Sequence, residues 1–505
     1  MRIAQLFSAL IPTSFLLAGE MPSGSPSLPP SPDSALPTDL AQLPPSTPLP
    51  DLLTFKDGRK VTTRDDWRTR RNELIAPLLF YQYGRIPPRP DRVTVRVDRI
   101  REHHSGLGTE EWMTLIIDSS KKLEMRIVAY VPLAKGPHPV IIKEEGSLGG
   151  SRNAAMFMRK NYLFIEYARG DLAPDRRGSI GPAQRAYPEF DWAMLAVWAW
   201  GGMRIVDYLE SRPDVDHERI AITGHSRGGK AALLAGALDQ RIDLVAPCQS
   251  GAGGAGSSRV LGPGAESIGM NDKPNWYHKR ILLFAEKEAH LPFDQHFLKA
   301  LVAPRALLCL ESSDDLFANP VGTRATSEAA MPVFELHDRR HANGLVYRRG
   351  GHSYSNEDWS SLLEFAEFIF YQRPPPTGRT FWQEPDPLEP EKPCPELPQT
   401  LQNHGRGPPK SSREASRTAS SVASALKSAL VEVQNQFKAP RSPKRRQKSQ
   451  LQAQLRPNLS QHGSNLEAQT RPNRAKSPPK SMQAGVRRRR REKTLFFHKI
   501  MQQVK

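Results

Sequence analysis

The chain has 505 residues, with 71 Lys and Arg against 53 Asp and Glu, and a formal net charge of +18. Residues 401–505 hold 24 basic and 4 acidic residues, a net of +20, which leaves 47 against 49, a net of −2, in residues 1–400. Residues 1–400 are nearly neutral and show no excess of basic residues that would indicate nucleic-acid binding. Only the tail remains a candidate for binding nucleic acid. Three scattered cysteines exclude a disulfide scaffold, and the lack of an apolar run of about 18 residues excludes a transmembrane protein.

Both ends of the chain have compositions that disfavour a packed core. Residues 1–20 combine an early Arg2 with a mostly apolar run, which predicts a signal peptide and a secreted or periplasmic protein; a disordered terminus is the alternative. Residues 21–50 contain 10 prolines and are predicted to form an extended linker. Residues 376–505 are predicted to be a basic, largely disordered tail with a helix over 413–437. The alternative for the tail is a tether to an acidic polymer.

Residues 51–375 alternate strand and helix patterns and predict one large α/β domain with a mainly parallel sheet of about eight strands. Alternating β-branched segments predict an antiparallel opening at 93–100, 112–118 and 125–131. Short apolar runs typical of buried parallel strands follow at 140–143, 163–167, 220–223, 244–247, 306–310 and 333–336. Helical spacing of apolar residues predicts helices over 190–209 and 359–370, both packed into the core.

A serine nucleophile is indicated directly after the run at 220–223. Residues 224–228 have the sequence GHSRG, a G-x-S-x-G motif, and helix-forming residues follow. A strand, a sharp turn and a helix in this order expose the serine hydroxyl, and small flanking residues are needed because the turn is strained. The setting predicts an α/β-hydrolase fold, a three-layer sandwich, with Ser226 as nucleophile. The backbone N–H of Arg227 and a second donor from the 146–150 loop are predicted to hold the oxyanion.

The side chains of Arg227 and, one helical turn on, Lys230 are expected to line the wall beside the elbow. Salt bridges to Asp171 or Asp175 are the structural alternative for either cation.

The serine requires a base and a carboxylate that orients the base. His352 is the predicted base because it lies between the last predicted strand and the last helix. Asp315 is the predicted acid because it follows the strand at 306–310, with Asp314 as its direct competitor; the alternative for either is a helix cap or loop carboxylate. The other histidines weighed for the base are weaker candidates: His225 beside the nucleophile, His290 and His296 in a middle insertion, and His337 and His341 in a loop predicted to follow a strand.

Several separated motifs resemble the glucuronoyl esterases, carbohydrate esterase family fifteen, and especially their bacterial branch. The resemblance spans about residues 52–372, and its motifs lie at 224–232, 250–254, 291–296, 303–305, 315–320 and 351–352. It implies that Ser226 is the nucleophile, that His352 is the base and that the side chain of Arg227 assists at the oxyanion. Lys230 and Glu266 match positions that hydrogen-bond hydroxyls of the uronate sugar. The family hydrolyses the ester between a 4-O-methyl-glucuronoyl group of glucuronoxylan and a lignin alcohol, without a metal or organic cofactor.

Two departures from the family pattern concern the acid and the sugar-binding wall. Fungal members carry a glutamate acid just before Ser-Gly-Ala-Gly-Gly, where this chain has Gln249, so the resemblance to bacterial members assigns the acid role to Asp315. Phe317 stands where many bacterial relatives have tryptophan. An aromatic wall for the sugar is therefore expected, but its indole N–H donor is lost.

These patterns together predict a secreted, monomeric serine ester hydrolase that uses no cofactor and no metal. Its expected partner is a polysaccharide substrate, glucuronoxylan or a related uronate ester, and no specific nucleic-acid partner is expected. Two alternatives stay open. The same triad serves carbohydrate O-acetyl esterases, since only the pocket decides the acyl group, and a non-catalytic polysaccharide-binding protein is the third reading.

Overall fold

The computed structural model describes residues 36–384, except 47, 147, 149–150, 152, 177, 272–274 and 377. The predicted signal peptide and the predicted helix in the basic tail lie outside the described residues. The chain divides into two compact units, Met1–Cys394 and Pro395–Lys505, and every element described below belongs to the first unit. Among the described helices, none combines the length and the apolar character that a membrane span requires.

Within the described residues, nine strands form one sheet in the order β1-β2-β3-β5-β4-β6-β7-β8-β9. The strands are β1 (Thr94–Glu102), β2 (Gly108–Asp118), β3 (Leu123–Pro132), β4 (His138–Glu145), β5 (Leu163–Ala168), β6 (Val215–His225), β7 (Leu244–Cys248), β8 (Ala306–Ser312) and β9 (Asn343–Arg348). The first three strands pair antiparallel, and β3 pairs antiparallel with β5. All pairs from β5 to β9 are parallel. The prediction of a mainly parallel sheet with an antiparallel opening is therefore confirmed.

Helices cover the sheet. They are α1 (Arg64–Pro77), α2 (Ala154–Met158), α3 (Arg169–Leu172), α4 (Pro182–Ala186), α5 (Met194–Leu209), α6 (Arg227–Leu238), α7 (His296–Val302), α8 (Pro320–Leu336) and α9 (Asn356–Tyr371). Helix α5 contacts α6, which contacts α7, and α7 contacts α8. Phe157 of α2 packs edge-on against Trp359 of α9, with 5.7 Å between the ring centroids. These layers of helices around a mostly parallel sheet confirm the α/β-hydrolase fold.

Helix α5 is buried along its whole length. It passes close to its neighbours because Gly201 and Gly202 have no side chain: a Cβ at Gly202 would lie 2.9 Å from the Ile222 side chain. The predicted helix over 190–209 starts later, at Met194, because the backbone N–H groups that open it donate to other segments. Those of Ala193 and Met194 donate to the carbonyls of Tyr83 and Asn275, at 2.8 and 2.6 Å.

The predicted strand at 333–336 is wrong, because these residues form the end of α8. Val333 and Phe334 are buried together with Ala330, at helical spacing. A four-residue apolar run does not distinguish a buried strand from one turn of a buried helix. The last strand is instead β9, and His337 and His341 therefore follow a helix and not a strand.

The described part of the predicted linker, residues 36–50, packs on the domain and is not an extended free segment. It contains a 3-10 turn at Leu40–Gln42, and Leu43 is buried. Hydrogen bonds join it to the domain: Tyr81 Oη donates to the Pro37 carbonyl (2.6 Å), Ser46 N donates to the Ala289 carbonyl (2.8 Å), His290 Nδ1 bonds to the Leu43 carbonyl (2.6 Å) and His296 Nε2 to the Pro50 carbonyl (2.8 Å). Prolines lack the N–H donor, but their carbonyls still accept hydrogen bonds.

The domain also continues past the predicted boundary at residue 375. Leu345 of β9 donates its N–H to the Phe381 carbonyl at 2.6 Å and accepts from Gln383 N at 2.8 Å. Phe381 is buried against Phe365 of α9, with 4.9 Å between the ring centroids. The start of the predicted tail is therefore part of the folded unit.

Removing residues 1–50 is expected to lower the Tm by roughly 3–6 °C, because hydrogen bonds worth about 1 kcal/mol each and the burial of Leu43 are lost. Removing only residues 1–35 is the matched control and is expected to leave the Tm unchanged. Differential scanning calorimetry of both variants measures the difference. Equal Tm values for the two truncations would show that 36–50 contributes nothing to stability.

Candidate active site

Ser226 lies between β6 and α6 with φ 57° and ψ −122°, a left-handed backbone conformation that a side chain rarely adopts. The turn is held on both sides: Ser226 N donates to the Cys248 carbonyl of β7 at 2.9 Å, and the Ser226 carbonyl accepts from Lys230 N at 3.1 Å. The predicted strand, sharp turn and helix are therefore present. The strain is concentrated on the residue whose hydroxyl the sequence assigned as the nucleophile.

The two glycines of the G-x-S-x-G motif are required by close packing. A Cβ on Gly224 would collide with the backbone of Gly228, and a Cβ on Gly228 would collide with the Glu144 carboxylate. Gly229 is nearly as crowded, since a Cβ there would lie 2.9 Å from the Gly224 carbonyl oxygen. The turn therefore closes only with glycine at these positions.

His352 and Asp315 are brought together from two separate loops. Nδ1 of His352 lies 2.6 Å from Oδ2 of Asp315. Asp315 is buried, whereas the His352 side chain is 41% exposed. A buried carboxylate bonded to Nδ1 fixes the imidazole orientation and leaves Nε2 for a substrate-side proton. The ring centroids of His352 and His225 are 4.5 Å apart, so the imidazole lies beside the residue that precedes Ser226.

Asp314, the competing acid, contacts the backbone of the histidine loop. Its Oδ2 accepts from Gly350 N at 2.6 Å, and its Oδ1 pairs with Arg349 at 2.8 Å. The neighbouring carboxylates therefore make different contacts: Asp315 bonds to the imidazole, and Asp314 bonds to the loop that carries it.

Gln249 joins the nucleophile elbow to the histidine loop. Its Oε1 accepts from Ser353 N at 2.9 Å and lies 3.1 Å from Nε2 of His225. Because an amide oxygen only accepts, this nitrogen of His225 carries the proton. Burial, followed by the proximity of His352, lowers the pKa of His225, so its ring stays neutral. The residue at the fungal acid position thus acts as a neutral clamp between the two loops.

Arg227 is held by charged and aromatic neighbours. Its guanidinium pairs with Asp175, and its carbon lies 5.0 Å from the Trp276 ring centroid. Asp175 also accepts from Trp276 Nε1 at 3.0 Å and lies 3.7 Å from Arg169. The salt bridge that the sequence left open for Arg227 is therefore the one with Asp175. Asp171, the other partner weighed, pairs with Arg126 at 2.7 Å.

Arg169 extends this charge network beneath the elbow. It pairs with Glu144, the carboxylate that packs against Gly228. Burial raises the pKa of Glu144, and the adjacent Arg169 opposes that shift. The chain of contacts runs from Glu144 through Arg169 and Asp175 to Arg227, so the orientation of Arg227 is fixed from below.

Lys230 and Glu266, both assigned by resemblance to sugar hydroxyls, are buried and bond to each other at 2.8 Å. Lys230 also donates to the Ala252 carbonyl. Glu266 N donates to the Phe317 carbonyl at 3.0 Å, which ties the pair to the predicted aromatic wall. The Phe317 side chain is 53% exposed. These three predicted substrate-binding residues are therefore contiguous.

The predicted second oxyanion donor lies in the 146–150 loop, of which residues 147, 149 and 150 are outside the described residues. Gly146 N donates to the Glu145 side chain at 2.9 Å. The histidines that were weaker candidates for the base have structural contacts. His290 and His296 bond to the N-terminal segment, and the exposed His341 packs edge-on against Phe368, with 5.9 Å between the ring centroids. Partial burial lowers the pKa of His337.

Sequence reasoning missed Trp276 and Glu144 as parts of the site, whereas Asp175 was named as one of two salt-bridge partners. Each lies far along the chain from Ser226 and matches no local motif. A signal existed for Glu144 alone, since a glutamate near the end of a buried parallel strand requires a charged partner.

Comparison with known proteins supplies the family. A family model described as "Glucuronyl esterase, fungi" matches residues 116–337. The 4-O-methyl-glucuronoyl methylesterase of Podospora anserina is 30% identical over 345 residues, which is 64% of this chain and 68% of the relative. That of Schizophyllum commune is 31% identical over 340 residues, 63% of this chain and 79% of the relative.

The chain belongs to the glucuronoyl esterase family. The solved structure of a carbohydrate esterase family 15 glucuronoyl esterase from Caldicellulosiruptor kristjansonii superposes with a TM-score of 0.59 at 29% identity, covering 70% of this chain and 98% of that one. The family prediction is thereby confirmed, and the protein is a carboxylic ester hydrolase. Its membership of the bacterial branch stays a prediction.

Replacing Gln249 with alanine is expected to lower kcat about tenfold with little change in KM, because the clamp on Ser353 N is lost while the sugar-binding side is untouched. Steady-state kinetics on a glucuronate ester measure both constants. Gln249→Glu is the matched control: it keeps an acceptor for Ser353 N and should retain more activity than Gln249→Ala. Wild-type kcat in Gln249→Ala would contradict the clamp.

Proposed function

We propose that this esterase cleaves esters of 4-O-methyl-glucuronic acid in glucuronoxylan through Ser226, His352 and Asp315. The observation that carries the proposal is the 2.6 Å contact between buried Asp315 and His352, beside the strained Ser226 elbow, in a chain of the glucuronoyl esterase family. Relatives named as 4-O-methyl-glucuronoyl methylesterases support the choice of acyl group.

The reaction runs in two half-reactions. Ser226 Oγ attacks the ester carbonyl carbon while His352 Nε2 takes the hydroxyl proton, and Asp315 stabilises the imidazolium that forms. The tetrahedral oxyanion accepts from Arg227 N–H, with the guanidinium of Arg227 as an additional positive charge. The carbon–oxygen bond to the alcohol breaks as His352 returns its proton to the leaving oxygen. Water, deprotonated by His352, then attacks the acyl carbon. The bond between this carbon and Ser226 Oγ breaks as His352 returns the proton to Oγ, which releases the uronic acid and restores the free serine.

The sugar is proposed to lie against Phe317, above the Lys230–Glu266 pair. A buried ion pair next to an exposed aromatic ring offers donors and acceptors for hydroxyl groups together with an apolar face for the pyranose ring. A substrate that lacks the sugar hydroxyls binds less tightly in the transition state, because the buried polar groups that would bond to them are left without that partner. This selects a hydroxyl-bearing acyl group over acetate.

Since glucuronoxylan is a polymer found outside the cell, secretion of a monomer is part of the proposal, with the N-terminal segment as its signal. The start of the basic tail, residues 376–505, packs on the domain. The remainder of the tail is proposed to bind acidic polymer and so to bring the enzyme to it.

Ser226→Ala is expected to lower kcat on benzyl glucuronate by roughly 10⁴-fold or more, because the acyl-enzyme cannot form. Wild-type enzyme is assayed beside it on benzyl glucuronate and on an acetylated xylan. Preference for the glucuronate ester, lost in the variant, is the predicted result. Preference for acetate would move the substrate to the O-acetyl class, and near wild-type turnover by Ser226→Ala would overturn the nucleophile.

Asp315→Asn is expected to lower kcat by about 10³-fold or more, because the amide neither stabilises the imidazolium nor holds the productive tautomer. Asp314→Asn is its matched control, one residue away and with the same change of charge. It is expected to lose less than about tenfold, since it removes only a charge-assisted hydrogen bond to the loop backbone. The reverse order of effects in kcat would assign the acid role to Asp314.

A further inference from the structure

The hairpin between β1 and β2 brings together two imidazoles and a carboxylate. His103 and His104 follow β1, and Glu110 lies on β2. One ring nitrogen of each histidine and one carboxylate oxygen of Glu110 lie within 4.8 Å of one another. Ligands of a tetrahedral Zn²⁺ at about 2.0–2.2 Å from the ion are spaced more closely than this, so a modest side-chain movement would complete the arrangement.

One ring nitrogen of His103 has no hydrogen-bond partner among the described residues. The residue is 1% exposed, and its Nδ1 lies 2.6 Å from Ser105 Oγ. The nitrogen without a partner in the described part of the chain is Nε2, which is buried. A buried nitrogen without a partner is unfavourable, so a ligand that binds it stabilises the folded chain. Ser105 orients the ring through two contacts to Nδ1, one from its Oγ and one from its backbone N–H at 3.2 Å. Metal binding at Nε2 requires the tautomer with the proton on Nδ1, where Ser105 Oγ can accept it.

Glu110 is held as a ligand would be. Only 3% exposed, it accepts at Oε2 from Arg101 Nε (2.7 Å) and from Trp112 Nε1 (3.1 Å). These donors fix the carboxylate and leave Oε1 for coordination. The positive charge of Arg101 repels a bound cation, which disfavours ions such as Ca²⁺ or Mg²⁺ that are held mainly by carboxylate charge. Two imidazoles favour an ion of the Zn²⁺ or Cu²⁺ type over Ca²⁺ or Mg²⁺, which prefer oxygen ligands.

We propose that His103, His104 and Glu110 form a divalent transition-metal site, with a fourth position open to water. This departs from the expectation of a metal-free protein. In the sheet order, β3, β5 and β4 separate β2 from β6, so the hairpin is about 19 Å across the sheet from the serine elbow.

The site also lies at the opposite end of the strands from Ser226. Gly108 pairs with Pro132 at the end of β3, and Tyr130 pairs with Phe164 at the start of β5. The hairpin turn therefore lies at the end of the sheet where the parallel strands begin, whereas Ser226 lies at the other end, after the last residue of β6. A metal here would clamp the outermost hairpin and would take no part in ester hydrolysis.

The test uses the full-length, metal-stripped protein titrated with Co²⁺, followed by visible absorption, and with Zn²⁺ in competition. Wild type is expected to bind one Co²⁺ with the intense spectrum of a low-coordinate site. His104→Ala, which changes an exposed side chain, and the isosteric Glu110→Gln are each expected to weaken binding more than about tenfold. His341→Ala, an exposed histidine next to β9 at the other edge of the sheet, is the matched control and should bind as wild type.

Thermal unfolding gives a second readout, because an ion that binds only the folded state raises the Tm. Zn²⁺ is expected to raise the Tm of wild type and of His341→Ala but not of His104→Ala. Unchanged Co²⁺ affinity in both His104→Ala and Glu110→Gln, or equal loss in His341→Ala, would overturn the site. Hydrolysis of benzyl glucuronate is expected to be the same with and without Zn²⁺, so the outcome is independent of the proposed reaction.

Discussion

The close approach of the backbone at Gly224 and Gly228 is the constraint on which the site depends. No side chain fits at either position, so β6 turns directly into α6 and forces Ser226 into a left-handed conformation. The neighbouring strand supports the turn through the Cys248 carbonyl. Strain of this kind persists only where the surroundings determine it fully, and here a parallel sheet lies on one side and a buried helix on the other.

Around this turn, charged groups are arranged in two sets. One runs from Glu144 under the elbow through Arg169 and Asp175 to Arg227, and it fixes a guanidinium beside the serine. The other is the buried Lys230–Glu266 pair. Charges that are already fixed need no reorganisation when charge develops during a reaction, so a held guanidinium fits the oxyanion role proposed for Arg227.

The histidine loop is positioned by contacts of a different kind. Asp314 binds the Gly350 N–H, Gln249 binds the Ser353 N–H, and Arg348, paired with Asp358 at 2.7 Å, reaches the Ser353 carbonyl. The loop backbone is thus fixed on either side of His352. These contacts hold the loop that contains His352, so the carboxylate of Asp315 is left to bond to the imidazole.

The sequence was most informative where the signal was local. The elbow, the parallel strands and the order of Ser226, Asp315 and His352 follow from short motifs and from apolar runs. Prediction failed where tertiary contacts decide: the run at 333–336 joined α8, and residues 36–50 packed through carbonyls that composition does not reveal. Trp276 could not be found because it meets Arg227 only in the folded chain, and the choice of Asp175 over Asp171 as the partner of Arg227 needed the same fold.

The proposed reaction depends on activation of the Ser226 hydroxyl by His352. Its most direct test is the site and rate of labelling by a serine-directed phosphonate, measured by mass spectrometry of the intact protein and of its peptides. One label is expected, on the peptide that contains Ser226, with labelling slowed by about 10²-fold or more in His352→Ala. Labelling at another residue, or an unchanged rate in His352→Ala, would contradict it.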